Sequence, residues 1–237
     1  MEAVKPDEAL EFPADRRVNS RNMNARKILR FLLALPLIVV FFWLVPLKIF
    51  ARIGARLGHT SPCPAALAGL VDNPLRQRYM RPVFDRIGIQ PGEFVLELGP
   101  GPGFFTVEAA RRAGPEGRLI AVDIQPRMIA LVDQRLLQAG VTNVETHVAS
   151  AYELPAAEAS LDRAFLVTVL PEIPDPRRAL AELQRTLKPG GVLSITEEFL
   201  DPDYPLAAET IRQVEATGFR LAERYGNFWL YTLNFEK

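Results

Sequence analysis

One acidic residue and three alternating glycines form the stretch of the chain best suited to chemistry. Glu97 precedes Gly99, Gly101 and Gly103, where the missing Cβ lets the backbone bend sharply and lie against a ligand. Asp123 follows at about the offset where an acid binds ribose hydroxyls in nucleotide folds. The pattern predicts a site for a nucleotide-like ligand. The alternative is a glycine turn followed by an incidental aspartate.

The glycine spacing separates two classes of ligand. A dinucleotide site requires G-x-G-x-x-G, which would place its third glycine at position 104. That position holds Phe104, and the glycines follow the pattern E-x-G-x-G-x-G instead. The spacing therefore disfavours a nicotinamide or flavin dinucleotide.

Strands and helices must alternate around these residues to position them. We expect strands at 94–98, 118–123, 144–148, 164–169 and 191–196, and helices at 104–113, 126–139, 176–187 and 204–217. The alternation predicts a parallel sheet with right-handed crossovers. Two strand-like runs, 219–225 and 228–235, predict a terminal hairpin around Gly226 and Asn227.

A helical segment is expected ahead of the first strand, at 75–87. Leu75, Tyr79 and Val83 would share one face of it, at i, i+4 and i+8. Pro82 interrupts the pattern, so the segment is either one kinked helix or two short ones.

Four motifs in this order resemble the class I S-adenosylmethionine (SAM)-dependent methyltransferases: VLELGPGPGFFT, AVDIQPRMI, the pair Leu154-Pro155, and LKPGGVLSITE. The nearest likeness is to the ubiquinone/menaquinone-biosynthesis branch, and it covers residues 75–237. The resemblance implies an α/β fold: a Rossmann-like, seven-stranded, mostly parallel sheet with an antiparallel last strand.

The resemblance also implies a set of residues that bind SAM: Glu97, Gly99, Gly101, Gly103, Asp123, Ile124, Ser150 and Ala151. Glu97 would hold the methionine amino group or brace the loop, Asp123 would bind the ribose hydroxyls, and Ile124 would pack on the adenine. Ser150 stands where the family's D-A-x-x-L-P segment has an aspartate that contacts the adenine amino group. S-adenosyl-L-homocysteine would be the product, and no metal is implied.

The sequence identifies the residues that would contact the methyl acceptor less clearly than those that would bind SAM. The loop after the fourth strand should face the sulfonium, and it offers Glu172 as a base or an orienting group. The other reading of Glu172 is a solvated loop acid. Glu197 and Glu198 are weaker candidates, and His147 lies within an expected strand, where a structural role is favoured. Tyr79, on the leading helix, either reaches the acceptor or packs in the core.

An uncharged run at residues 31–47 dominates the N-terminal part of the chain, with basic residues on both sides. It is near the lower limit for crossing a bilayer. A membrane anchor is favoured over a buried core helix, and a cleaved signal peptide is disfavoured. Pro36 and Pro46 leave open whether the run spans, re-enters or lies on the membrane. If SAM is the cofactor, the catalytic domain must face the cytoplasm.

The expected organisation has four parts: a polar segment at 1–27, a hydrophobic helix at 28–56, a linker at 57–74 and a SAM-dependent methyltransferase domain at 75–237. The N-terminal part of the chain is basic and the C-terminal part is acidic. Residues 1–90 hold 14 Lys and Arg against 7 Asp and Glu, whereas the remainder holds 14 against 21. A basic N-terminal half suits an anionic membrane surface.

Composition excludes other classes of function. The single cysteine, Cys63, rules out an internal disulfide and a multi-cysteine metal site. No interleaving of aromatic and basic residues supports nucleic-acid binding.

Three functions fit the sequence. The leading hypothesis is a membrane-associated methyltransferase for a small lipophilic acceptor, either quinone-like or a phospholipid. The others are a SAM-binding regulatory or assembly protein without turnover, and a soluble methyltransferase whose N-terminal segment mediates oligomerisation.

Overall fold

The computed structural model describes residues 73–237, together with Pro46. Six helical or turn elements flank seven strands in this part of the chain. In order they are α1 (Pro74–Ile87), β1 (Phe94–Leu98), α2 (Phe104–Ala113), β2 (Arg118–Asp123), α3 (Pro126–Ala139), β3 (Val144–Val148), β4 (Leu161–Val167), a 3₁₀ turn (Leu170–Glu172), α4 (Pro176–Thr186), β5 (Leu187–Glu198), α5 (Ala207–Glu215), β6 (Arg220–Gly226) and β7 (Leu230–Glu236).

The strands form one seven-stranded sheet in the order β3-β2-β1-β4-β5-β7-β6. The pairs β1–β2, β1–β4, β2–β3 and β4–β5 are parallel, and β7 is antiparallel to both of its neighbours. This confirms the predicted mostly parallel sheet with an antiparallel last strand. The strand order reverses between β1 and β4, which is where open α/β sheets bind ligands at the carboxyl edge.

Two apolar clusters hold helices against opposite faces of the sheet. Alternate residues of β1 divide between them, since Val95 packs with the cluster of α1 and α2, and Leu96 packs with that of α4 and α5. Both side chains are fully buried. A strand covered on both faces needs apolar residues at nearly every position, which explains the continuous apolar run in β1.

The leading segment is one continuous helix with Pro82 inside it. Asn73 begins the helix, because its side-chain Oδ1 accepts hydrogen bonds from the backbone amides of Leu75 and Arg76, at 3.1 and 3.0 Å. Leu75 and Tyr79 were expected to share one face of this helix with Val83. Leu75 is 82% exposed and Tyr79 39%, whereas Val83 is fully buried, because the residues of the helix that pack in the core begin at Met80.

The fourth and fifth strands begin earlier than expected. Leu161 pairs with Leu187, directly after α4 ends at Thr186, so the strands are already joined before the glycine pair that was expected to start β5. Pairing resumes between Arg163 and Val192, and the intervening residues form an irregularity. The sequence pattern missed the first pair because Lys188-Pro-Gly-Gly191 has the composition of a turn.

The expected polar segment, hydrophobic helix and most of the linker lie outside the described residues. Within residues 73–237, no helix is both long enough and apolar enough to cross a bilayer.

Candidate functional site

A cavity of about 260 Å3 lies at the carboxyl edge of the sheet, around the ends of β1, β2 and β4. Its walls are formed by Arg76, Glu97, Leu98, Gly99, Pro100, Gly101, Pro102, Phe104, Phe105, Val122, Asp123, Ile124, Gln125, Met128, Ala149, Ser150, Ala151, Tyr152, Val167, Thr168, Val169, Glu172, Ile173 and Pro174. Of the predicted SAM-binding residues, all but Gly103 are in this lining, and so is Glu172.

The glycine turn is built from left-handed backbone. The φ angles of Gly99, Gly101 and Gly103 are 71°, 53° and 85°, a region that residues with a Cβ rarely adopt. A Cβ on Gly99 would lie 2.4 Å from Cγ2 of Val169 on the neighbouring loop, whereas a Cβ on Gly101 would meet nothing within 4 Å. Gly99 is therefore required for packing against the loop after β4. Beside Gly101 the cavity has open space.

Gly103 has a structural role beside the cavity. A Cβ at this position would lie 3.3 Å from the Cα of Val132 on α3. Gly103 is also the residue before α2, and its amide donates a 3.0 Å hydrogen bond to the carbonyl of Pro100. It lets the turn close tightly and allows α2 to approach α3.

Glu97 presents an unsatisfied carboxylate to the cavity from within β1. The residue is 3% exposed, and its Oε2 has no hydrogen-bond partner. Burial raises the pKa of Glu97 to about 8, the Asp123 carboxylate adds to the rise, and the Thr106 hydroxyl opposes it. An isolated buried carboxyl favours its neutral form, and a cation bound beside it would favour the charged form.

Asp123 lies at the end of β2 and is 8% exposed. Its Oδ1 accepts a 2.8 Å hydrogen bond from the backbone amide of Gln125. Burial raises the pKa of Asp123, although backbone amides of Gln125, Gly101 and Ile124 oppose the rise. Ile124 itself is 58% exposed, so an apolar surface beside this acid is open to a ligand.

Ser150 and Ala151 line the cavity from the loop after β3. The Ser150 Oγ accepts a 3.2 Å hydrogen bond from the amide of Tyr152, which fixes the start of this loop. The Tyr152 hydroxyl accepts a 2.9 Å hydrogen bond from the amide of Asp175, at the start of α4. The loop is thereby tied to the opposite wall of the cavity.

Glu172 and Thr168 line the cavity from the segment after β4. Glu172 ends the 3₁₀ turn, and its amide donates a 3.0 Å hydrogen bond to the carbonyl of Val169. Thr168 has a φ of 56°, one of two non-glycine residues with positive φ in the described part of the chain. Such strain at a strand end is common at binding sites.

The other candidates on the acceptor side are placed differently. Glu197 is fully buried with both oxygens unpartnered, but it is not in the cavity lining; burial and then Asp201 raise its pKa well above the ordinary value. Glu198 pairs with Arg76. His147 and Tyr79 lie outside the lining, and the Tyr79 hydroxyl donates a 3.1 Å hydrogen bond to the carbonyl of Trp229.

Sequence reasoning missed Arg76, which lines the cavity from α1. Its Nε lies 2.6 Å from Oε1 of Glu198. The pair is separated by 122 positions in the chain, so no local pattern could indicate it. Only the packing of α1 against the end of β5 brings the two together.

The sheet order and the position of the cavity define the fold of the class I methyltransferases. A SAM-dependent methyltransferase from Aquifex aeolicus has this fold, with a TM-score of 0.68 and 22% identity over 73% of this chain and 98% of that one. The [4+2]-cyclase SpnF shares it too, with a TM-score of 0.56 and 24% identity over 63% of this chain and 59% of SpnF.

Sequence comparison agrees with the fold. Residues 95–191 match the family model described as a methyltransferase domain. The ubiquinone/menaquinone biosynthesis C-methyltransferases UbiE of Hahella chejuensis and Marinomonas sp. are 31% and 30% identical over 141 and 158 residues, which are 59% and 66% of this chain. An arsenite methyltransferase of Halobacterium salinarum is 33% identical over 115 residues, 48% of this chain.

The chain spans only 56%, 61% and 29% of the lengths of these three relatives, in that order. The family match at 95–191 includes the glycine turn and Asp123. Together the domain match and the relatives support a SAM-dependent methyltransferase with SAM as its cofactor, and the structural neighbour agrees with them in fold.

Proposed function

We propose that the protein transfers a methyl group from SAM to a small lipophilic acceptor at a membrane surface. One observation supports the use of SAM by this site. The buried Glu97 oxygen without a partner lies in the same cavity as Asp123 and the open backbone at Gly101. This arrangement offers a cation acceptor, a hydroxyl acceptor and room for a ligand to lie on the turn.

The cavity residues fit SAM group by group. Glu97 would take the methionine ammonium, which would offset the cost of burying its charge. Asp123 would accept hydrogen bonds from the ribose hydroxyls, and Ile124, with Ser150 and Ala151 on the loop after β3, would flank the adenine. When bound, SAM supplies an activated methyl on its sulfonium. The chain has to hold that methyl in line with the acceptor and keep water away, since positioning alone accounts for much of such catalysis.

Glu172 is the carboxylate best placed to act on the acceptor. It lines the cavity with Val169 and Ile173, so an apolar molecule entering there would meet one acid among aliphatic side chains. Such a group would orient a hydroxyl or amine, or accept a proton as the methyl is transferred. Glu197, buried outside the cavity lining, has no path to the acceptor in this arrangement.

The UbiE relatives support a lipophilic, quinone-type acceptor, because their names place them in ubiquinone and menaquinone biosynthesis. A phospholipid is the other acceptor compatible with the sequence. The uncharged run at 31–47, outside the described residues, supports attachment to a membrane that holds such a substrate. The domain would face the cytoplasm, where SAM is made.

Methyl transfer from labelled SAM to extracted membrane lipids tests this function. The full chain should label a lipid fraction, and Asp123→Ala should label it far less at the same SAM concentration. Binding of SAM without labelling of any acceptor would contradict the proposal and favour a regulatory or assembly role. The fold alone does not secure methyl transfer, since a protein described as a [4+2]-cyclase shares it.

Cell fractionation tests the membrane part separately. The full chain should remain with membranes through a high-salt wash. A soluble protein that still methylates its acceptor would contradict membrane attachment and leave methyl transfer standing. In that case residues 1–56 would be assigned to oligomerisation.

A further inference from the structure

Six large apolar side chains are exposed around the carboxyl end of β5 and the β6–β7 turn. We call this surface the apolar rim: Leu75, Tyr79, Leu200, Leu206, Phe228 and Trp229. Their exposed fractions are 82%, 39%, 59%, 48%, 52% and 53% in that order. Two aromatic rings and two leucines at more than half exposure, with a third leucine at 48%, form an unusual concentration for a water-facing surface.

Phe228 and Trp229 of the rim pack against each other and against Phe199. The ring of Phe199 lies 5.1 Å from that of Phe228 and 4.8 Å from that of Trp229, and the latter two lie 5.6 Å apart. The hydroxyl of Tyr204 donates to the carbonyl of Phe228, and that of Tyr79 donates to the carbonyl of Trp229. The two exposed rings are therefore held outward by contacts beneath them.

The rim adjoins the candidate active site. Leu75 is followed in α1 by Arg76, which lines the cavity, and Phe199 is preceded in β5 by Glu198, the partner of Arg76. The amide of Phe199 also donates a 2.8 Å hydrogen bond to the carbonyl of Trp229. A surface that covered the rim would lie beside the part of the cavity that Arg76 lines.

The chemistry of the rim matches the headgroup region of a bilayer. Trp and Tyr concentrate there because each has an apolar body and a polar group, and Phe and Leu insert just beneath. The exposed face of α1 adds Arg78 and Arg81, and no acidic residue occurs in α1 before Asp85. These cations suit anionic lipid headgroups.

The described domain begins at Asn73, two positions before Leu75 of the rim. Residues 1–72 lead directly into Asn73 and α1, and they contain the uncharged run at 31–47, which basic residues follow at Lys48, Arg52 and Arg56. A segment held in a membrane by that run would bring the start of α1, with Leu75, toward the same membrane.

We propose that the apolar rim docks into the interface of an anionic lipid bilayer and places the acceptor end of the cavity against the membrane. The inference rests on the membrane association proposed above and adds the surface that makes the contact. Docking in this orientation would let a lipophilic acceptor pass from the bilayer to Glu172 without crossing water.

Fluorescence of Trp229 tests the proposal directly, because the chain contains only two tryptophans. In full-length Trp43→Phe, Trp229 is the sole tryptophan. The probes are phosphatidylcholine–phosphatidylglycerol vesicles with and without bromine on the acyl chains near the headgroups, and acrylamide in the water. We expect bromolipid to quench Trp229 strongly and vesicles to protect it from acrylamide. Vesicles of phosphatidylcholine alone should quench it less.

A matched pair of leucine variants locates the contact. Leu200→Ser, in the rim, should lower bromolipid quenching of Trp229 by about two- to five-fold, on the scale of one partly buried leucine. Leu137→Ser, on α3 and 84% exposed, should leave it unchanged. Equal effects of the two variants would overturn the proposed contact surface.

Three other outcomes would contradict the inference. If the protein cosediments with vesicles but Trp229 is not quenched, the rim does not dock, while membrane association stands. If Trp229 is protected from acrylamide before vesicles are added, residues 1–72 or a second copy cover the rim. If the protein does not cosediment at all, both the inference and the proposed membrane association fail, and methyl transfer is judged by its own assay.

Discussion

The Nε of Arg76 lies 2.6 Å from the Oε1 of Glu198, and the two side chains are only 18% and 6% exposed. The contact joins the first turn of α1 to the last residue of β5, at the edge of the candidate active site. It ties the start of the leading helix to the end of β5 beside the cavity. Because the other Glu198 oxygen is buried without a partner, loss of Arg76 would leave an uncompensated carboxylate.

Arg76→Met should therefore destabilise the domain by about 3 kcal/mol, the lower end of the range for breaking a buried ion pair. Arg78→Met, on the exposed side of the same helix, should cost no more than about 0.5 kcal/mol. Chemical denaturation of both variants measures the difference. Equal stabilities would show that the pair does not hold α1. The double variant Arg76→Met/Glu198→Met should regain part of the loss.

Gly99→Ala should destabilise the protein through two effects that can be separated. The left-handed backbone costs about 1–2 kcal/mol for a residue with a Cβ, and the contact with Val169 at 2.4 Å adds about 1–3 kcal/mol of overpacking. Gly92→Ala is the matched control, because its φ is 86° but a Cβ there would meet nothing within 4 Å. Gly92→Ala should show the backbone cost alone.

The double variant Gly99→Ala/Val169→Ala isolates the steric contribution to the loss of stability. Truncating Val169 removes the methyl groups that the new Cβ would meet, so the double variant should be more stable than Gly99→Ala. Thermal unfolding of the three variants decides the matter. If Gly99→Ala and Gly92→Ala are equally stable, the loop after β4 is not packed against the glycine turn as described.

The sequence predicted the part of the cavity lining around the glycine turn more fully than the part formed by α1. Glu97, the glycines and Asp123 sit at strand ends and in one turn, so local spacing and strand alternation were enough to place them together. Arg76 joins the site only through the packing of α1, and the exposure of Leu75 and Tyr79 depends on where that helix first meets the sheet. Tertiary packing of this kind leaves no periodic signal in the sequence.

The boundaries of β4 and β5 illustrate a second limit. Leu161 and Leu187 are paired across the sheet although each stands next to residues typical of turns. A strand pair is set by both partners, whereas composition reports on one segment at a time. The class of fold could be predicted because it depends on the order of elements, which these errors at the ends do not alter.

Stability of the ligand-free protein should fall with rising pH through Glu97. Its pKa is about 8 in the folded chain against an ordinary value of 4.5, so folding takes up a proton between these values. The contribution of this group is fully present below about pH 4.5 and is lost as pH rises to about 8, at a slope of at most about 1.4 kcal/mol per pH unit. Urea unfolding at pH 5 to 8 measures it.

Glu97→Gln is the control for this pH dependence, since an amide of similar shape does not titrate. Glu197 titrates in both proteins, so the difference between them isolates Glu97. The wild type should lose stability relative to Glu97→Gln as pH rises. A constant difference across this range would show that Glu97 is already ionised in the empty site. Binding of a cationic amine there should release a proton, which calorimetry in two buffers of different ionisation enthalpy detects.

Glu172→Gln should slow methyl transfer while SAM binds nearly as well as before, because in the proposed arrangement this carboxylate contacts the acceptor and not SAM. A base or orienting group of this kind contributes about 10²-fold or more to rate. Glu153→Gln, an exposed acid of the loop after β3 that does not line the cavity, is the control. Full activity of Glu172→Gln across pH would mean that catalysis depends on positioning alone.

Calorimetric titration of the full chain with S-adenosylhomocysteine tests the central claim, that the Glu97–Asp123 cavity is a SAM site. We expect one site per chain, with binding weakened by about 1.5–3 kcal/mol in Asp123→Ala, the scale of hydrogen bonds to a charged group. Asp133→Ala, an exposed aspartate on α3, should bind like the wild type. No binding of S-adenosylhomocysteine, with NAD bound in its place, would contradict the account.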